Sequence, residues 1–309
     1  MTGIPDRGEG EATPRARAEA SPRRAGAAPR SDSAPLLVVD GDSFAHRAFH
    51  ALPRSIRRAN GRPGNLLTGL ASMMLRLWEA ERPRAVFVGW DTLTTPTYRH
   101  ELLPGYQAGR EFDPELLEQL DLAPGLLEAA GIACGKAPGF EADDFLAAAV
   151  AFERGAGGSA LVATSDRDAF QLAADDVTIL QPVRGVSELA RIGPAEVRER
   201  YGVAPGQVPD FIALRGDPSD KIPGARGVGA KTAAALLGEY RSLDDLLAAG
   251  RFSAEAEALR TYRRVATLDA TAPLPPLPDR VPDWHACAAA ADALGLGRLA
   301  GRLEEAASS

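Results

Sequence analysis

The chain has 309 residues, 45% hydrophobic and 25% charged, with a net charge of −7, as in an ordinary soluble globular protein of one large domain or two smaller ones. No apolar run approaches the roughly 18 residues of a transmembrane helix, so a helical span is excluded. The two cysteines, Cys134 and Cys287, are too few and too far apart for a disulfide scaffold or zinc cluster, and they point to the reducing cytoplasm.

Residues 1–34 are Ala, Arg, Pro, Gly, Ser and Glu with almost nothing to bury, which predicts a disordered tail. The tail lacks the apolar stretch of a secretory signal. Its Asp6, Glu9, Glu11, Glu19 and Asp32 argue against a transit peptide. Order is expected from Leu36. Leu36–Asp40, Ala85–Asp91, Ala160–Asp166 and Val177–Leu180 are short apolar runs and read as buried strands. Helical stretches lie between them at Leu66–Glu81, Pro114–Ala130 and Ala142–Glu153. The alternation predicts an α/β fold, a mostly parallel sheet with helices on both faces. From Pro194 onward the pattern is helical: Pro194–Tyr201, Gln207–Arg215, Lys231–Tyr240, Leu243–Ala249 and Ala254–Leu268. A Pro-rich linker, Pro273–Pro278, precedes one or two closing helices within Trp284–Glu305. The predicted organisation is a tail over 1–34, a sheet domain over 35–194, a helical domain over 195–272, and a linker with closing helices over 273–309.

Three predicted strands end in aspartate: Asp40, Asp91 and Asp166, the last followed by Asp168. In open α/β sheets the functional crevice forms at the carboxyl ends of the strands. Any one of these acids alone is an ordinary turn residue or helix cap. Glu141, Asp143 and Asp144 crowd one predicted helix start, and Asp217 and Asp220 sit three apart in a loop. Helix capping uses one or two such charges, not three in four residues. Nine carboxylates on one rim stay ionised only with cations between them. Hard oxygen ligands without a patterned His or Cys suit Mg²⁺ or Mn²⁺. Two such ions form the usual clamp for phosphodiester hydrolysis. With these nine acids set aside, the −7 becomes a small positive balance, so the acidity does not argue against nucleic acid.

Pro223–Ala233 nearly matches a P-loop, but Ala230 separates Gly229 from Lys231, and the turn lies between helices. Gly224, Gly227 and Gly229 would expose N–H groups at a helix start with Lys231 and Thr232, a phosphate-binding arrangement. The alternative is a tight helix–helix turn with no ligand. Only Lys136, Lys221 and Lys231 are lysine among the 35 Lys and Arg residues, so a retained lysine stands out. Arg99, Tyr106, Gln107 and Arg110 lie in a stretch broken by Pro104, Gly105 and Gly109, which reads as a mobile segment suited to stacking and phosphate contact. An ordinary solvated loop is the competing reading. Arg47 is a phosphate contact or a surface cation. His46, His50 and His285 read as ordinary packing or surface residues.

Val39–Ser43, Tyr98–Glu101, Tyr106–Arg110, Gly139–Asp144, Ser165–Asp168, Gly216–Asp220 and the Pro223–Ala233 turn occur in one order. In that order they resemble the 5′→3′ exonuclease and flap endonuclease family, best known as the N-terminal nuclease domain of bacterial DNA polymerase I. The resemblance covers Leu36–Asp269. It implies a PIN-like (Rossmann-like) sheet domain followed by a helix-three-turn-helix (helix-hairpin-helix) domain. It implies structure-dependent cleavage near the 5′ end of branched, flapped or nicked duplex DNA, by a cytoplasmic, monomeric nuclease without a polymerase domain. Asp40, Asp91, Glu141, Asp143 and Asp144 match a first metal site, and Asp166, Asp168, Asp217 and Asp220 a second. Mg²⁺ is expected, with Mn²⁺ able to substitute, and K⁺ is a further expectation at the Gly-rich turn. Gln107 stands where the family usually has a lysine thought to act on the scissile phosphate. Lys221 stands where Asn is common, and His46 where Tyr is common. Either Lys221 or Arg110 is therefore expected to supply the missing catalytic charge, Lys221 being favoured as a rare lysine beside the proposed ligand Asp220, and a slow enzyme is the alternative. The rival functions are a non-catalytic or weakly active DNA-junction binder and a PIN-type ribonuclease.

Overall fold

A computed structural model describes residues 34–93, 95–184 and 188–308. The tail expected over 1–34 lies, apart from Ala34, outside the described residues.

In chain order the first elements are β1 (Leu36–Asp40), α1 (Gly41–Ala51), α2 (Asn65–Glu81), β2 (Ala85–Gly89), α3 (Tyr98–Leu102), α4 (Pro114–Ala129) and β3 (Ala133–Gly135). They are followed by α5 (Ala142–Gly155), β4 (Ala160–Ala163), β5 (Val177–Arg184), β6 (Glu188–Ile192), α6 (Pro194–Tyr201) and α7 (Val208–Arg215). The chain ends with α8 (Ala230–Tyr240), α9 (Leu243–Ala248), α10 (Ala256–Ala266), α11 (Trp284–Ala293) and α12 (Gly297–Ala307). The sheet order is β3-β2-β1-β4-β5-β6, with only β6 antiparallel. The expected class, a mostly parallel α/β sheet followed by helices, is the one found.

The strands are apolar throughout because both faces are covered. Successive side chains alternate between faces. Leu36 and Val38 join the core with α5, α7, α8 and α10. Leu37 and Val39 join the opposite core with α1, α2, α4, α11 and α12. The closing helices thus return to the sheet, where Trp284 packs edge-on against Trp78 at 5.8 Å.

Two strands escape sequence reading. β3 is three small residues, too short to leave an apolar run, and a side chain on Gly135 would stand 2.6 Å from Phe87. β6 is a half-exposed edge strand interrupted by Glu188 and Arg191, which carries little hydrophobic signal. The segment expected to be mobile holds α3, with Arg99 2% exposed. Arg99 donates to Val265 O at 3.0 Å and pairs with Asp144, anchoring the segment to α10 and α5.

Strand order reverses between β1 and β4, and a crevice opens at such a switch point beyond the strands' carboxyl ends. Gly41 lets α1 start directly after β1. A side chain there would meet Trp90 at 2.7 Å and Gly89 O at 2.8 Å.

Candidate active site

The crevice is a cleft of about 650 Å³. Eight of the nine predicted acids line it: Asp40, Asp91, Glu141, Asp143, Asp166, Asp168, Asp217 and Asp220. Each is held by its element. Asp40 ends β1 and caps α1: its Oδ1 accepts Ser43 N–H at 2.9 Å and its Oδ2 accepts the Thr164 hydroxyl at 2.7 Å. Asp91 Oδ1 accepts Ala142 N–H at 2.7 Å, tying β2's end to the start of α5. Glu141 accepts the hydroxyls of Thr97 at 2.8 Å and Tyr106 at 3.0 Å. Asp166 Oδ1 accepts Asp168 N–H at 2.8 Å. Asp217 is paired with Arg215 at 2.9 Å, and Asp220 with Arg110 at 3.1 Å.

Burial is the main force on these acids. It pushes the Asp40 carboxyl up to about 7 and those of Asp91 and Asp220 up to about 6. Asp143 and Asp168 are raised as well, by burial and then by neighbouring carboxylates. Crowded acids of this kind ionise at a cost that a divalent cation between them would offset. Asp143 Oδ1 is also buried with no hydrogen-bond partner. Among the described residues no three such side chains are already gathered around one point as metal ligands. The bonds above show why: many carboxylate oxygens face protein donors. Mg²⁺ typically takes one or two carboxylates and keeps several waters, so this donor set fits it without a closed cage.

The sequence matches two family descriptions. One is "5′-3′ exonuclease, N-terminal resolvase-like domain" over residues 35–202, and the other is "5′-3′ exonuclease, C-terminal SAM fold" over residues 203–283. The chain belongs to the 5′-3′ exonuclease family. A 5′-3′ exonuclease of Mycobacterium tuberculosis is 40% identical over 249 residues, covering 74% of this chain and 78% of that relative. DNA polymerase I of Mycobacterium bovis is 44% identical over 224 residues, covering 71% of this chain. This chain spans only 25% of that polymerase's length. Among solved structures, T5 5′-exonuclease with bound zinc aligns at a TM-score of 0.65 and 20% identity, over 88% of this chain and 99% of that one. The catalytic core of Rad2 in complex with DNA substrate aligns at 0.57 and 14% identity, over 89% of this chain and 91% of that one. At those identities the structural likeness speaks for the fold.

Within this exonuclease-family fold, several sequence expectations change. Asp144 is not in the cleft. It is fully buried, and Arg99 grips it with two bonds of 2.7 Å. Asp144 also accepts Asp269 N–H at 2.8 Å and Glu141 N–H at 3.0 Å. Adjacent helix residues point about 100° apart, so Asp143 faces the cleft while Asp144 faces the protein. Removing one partner of such a buried pair typically costs about 3–5 kcal/mol. Arg99 is therefore consumed by structure and is not a DNA contact. Tyr106 is 4% exposed, with its hydroxyl on Glu141, so it forms cleft wall rather than a free stacking surface. Lys221 is exposed in a left-handed turn with φ 61° and does not line the cleft. The cleft cations are Arg110, Arg167 and Arg215. Gln107 does line the cleft, donating to Tyr106 Oη at 2.8 Å and to Asp220 Oδ1 at 3.1 Å. Arg47 stands half-buried behind the rim and donates to Ser165 Oγ at 2.9 Å.

His46, read as an ordinary packing or surface residue, lines the cleft, and burial lowers its pKa below the usual imidazole value. Asp42, Ser43, Ser165, Tyr201 and Arg215 also line it without having been singled out. Asp42, Ser43 and Ser165 lie inside recognised motifs and Arg215 adjoins one, a signal that was there to use. Tyr201 sits at the end of α6 and carried no such signal.

Gly227, Gly229, Lys231 and Thr232 lie exposed at the start of α8, apart from the cleft lining. Gly224, at φ 77°, packs so close that a side chain there would stand 2.5 Å from Gly216 N. That glycine couples the turn to the Asp217 loop.

Proposed function

We propose that the chain hydrolyses DNA phosphodiesters near a 5′ end, as a structure-specific, divalent-metal-dependent nuclease. The observation that carries this reading is the convergence of eight acids from the end of β1, the segments after β2 and β4, the start of α5 and the loop before α8 on one cleft with three arginines. In this reading residues 35–194 are the catalytic unit. Residues 195–272 grip the duplex, and residues 273–309 are the linker and closing helices.

Divalent cations bound in such a cleft supply the Lewis acidity that activates water and stabilises the leaving oxygen. Asp40, Asp91, Glu141, Asp143, Asp166, Asp168, Asp217 and Asp220 would hold Mg²⁺, or Mn²⁺ in its place. Asp91 also orients the start of α5, and with it Asp143. Arg110, with side-chain exposure of 43%, would meet the phosphate. His46 and Tyr201 form apolar-faced wall beside the path of a nucleotide. The Pro223–Ala233 turn is assigned to the duplex backbone, with K⁺ as its accompanying ion.

Two experiments test this reading. In Mg²⁺, a 5′-labelled flap DNA is expected to be cut near the junction, while an RNA of the same sequence is left intact. Preferential cleavage of the RNA would make the protein a ribonuclease instead. Lys231→Ala is expected to weaken duplex binding and to reduce the salt slope of binding by about one counterion. Cleavage at saturating DNA should be unchanged. An unaltered affinity and slope would reduce the turn to a helix connection.

A further inference from the structure

Five acids are buried among the described residues: Asp40, Asp42, Asp144, Glu153 and Asp210. Three of them have a guanidinium partner. Asp144 pairs with Arg99 at 2.7 Å, Glu153 with Arg84, and Asp210 with Arg263 at 3.7 Å. A buried carboxylate paired in this way is part of the scaffold. Among the described residues neither Asp40 nor Asp42 has an ion-pair partner. Lys136 is exposed and acts on Asp42 only from beyond ion-pair range. Asp42 therefore sorts with Asp40, which the proposed function makes a metal ligand, and not with the scaffold acids.

Its bonds point the same way. Asp42 Oδ2 accepts the backbone N–H of Asp91 at 2.7 Å, and the residue lines the cleft beside Asp40, Asp91 and Asp143. An acid in a helix's first turn usually interacts with the helix dipole from solvent. Asp42 is 8% exposed and faces other acids instead, a position that a dipole alone does not account for.

We infer that Asp42 is a further acid of the cation site: Oδ2 fixes the backbone of Asp91, and the negative charge helps hold a divalent cation beside that residue. The inference rests on the proposed reading of the cleft as a metal site. Outer residues that orient metal ligands typically contribute 10–100-fold to metal affinity.

The test is Mn²⁺ titration of the full chain by calorimetry, without DNA, on wild type, Asp42→Asn, Asp42→Glu and Asp143→Asn, with melting curves in EDTA and in Mn²⁺. Asp42→Asn keeps an oxygen for the Asp91 N–H and exchanges the other carboxylate oxygen for an uncharged NH2. It should bind Mn²⁺ about tenfold more weakly. In EDTA it should melt no lower than wild type, because an unpaired buried charge has been removed. Its stabilisation by Mn²⁺ should be smaller than that of wild type. Asp42→Glu restores the charge and should regain most of the affinity. If Asp143→Asn weakens Mn²⁺ binding and Asp42→Asn does not, the inference is overturned and the cleft remains a metal site. If neither variant changes binding, the reading of the cleft itself falls. A large loss of melting temperature in EDTA, shared by the Asn and Glu variants, would make Asp42 a scaffold residue and overturn the inference.

Discussion

Asp143→Asn is expected to lower single-turnover cleavage of a 5′-flap by about 10²–10³-fold or more, while affinity for the flap holds or improves. The magnitude is that of removing one preorganised charge or donor at the reacting centre. Asp143 is an acid whose side chain has little else to do. Its Oδ1 is buried and without a hydrogen-bond partner, whereas Asp40, Asp91 and Asp166 each cap or brace a neighbouring segment. Replacing it removes a charge facing phosphate and breaks no contact that the fold uses. Binding should therefore survive the loss of chemistry. Asp144→Asn, its neighbour, is expected to behave differently. It disturbs the Arg99 pair, so its first effect is on stability and its effect on cleavage follows from that. Cleavage by Asp143→Asn within tenfold of wild type would remove the residue from the site.

The second large effect concerns the phosphate-side charge. Gln107 supplies a donor but no charge, and its Nε2 is occupied by Tyr106 and Asp220. Lys221 lies outside the cleft lining. Arg215 is spent on Gly216 O and Asp217, with its guanidinium over Phe211. Arg110 has one hydrogen bond, to Asp220 Oδ1, and remains substantially exposed at the cleft mouth. Arg110→Ala should therefore lower single-turnover cleavage about 10²-fold at saturating DNA. Lys221→Ala should change it less than about twofold, in the range of an exposed side chain that touches no reacting group. Gln107→Lys should raise it modestly, since Arg110 already provides the charge. A harmless Arg110→Ala with a strong Lys221→Ala defect would restore the lysine to the role that its rarity and its place beside Asp220 suggested.

That reversal shows what was legible in the chain. Strand-terminal Asp40, Asp91 and Asp166 were readable because apolar runs locate strand ends, and strand ends locate the crevice. Which side of a helix start faces that crevice was not. Glu141, Asp143 and Asp144 look alike in sequence, and only Arg99, distant in the chain, shows that Asp144 belongs to the interior. The same contact hid α3: Pro104 and Gly105 signal mobility, but a guanidinium buried against Asp144 and Val265 O overrides them. Lys221 stood out by rarity, and rarity says nothing about direction. Asp42 was overlooked because one acid in the first turn of a helix is unremarkable until its burial and the lack of a cationic partner are seen. The helices after Pro194 were legible from periodicity and punctuation. The return of α11 and α12 to the sheet was not, since it depends on which apolar faces remain uncovered.

The central claim is that the acidic cleft works through divalent cations. The most direct measurement is single-turnover cleavage of a 5′-labelled flap by metal-stripped protein, in excess EDTA and then with Mg²⁺ or Mn²⁺ restored. No product is expected in EDTA, and restoring either ion should restore cleavage at the junction. Undiminished cleavage in excess chelator would contradict the account.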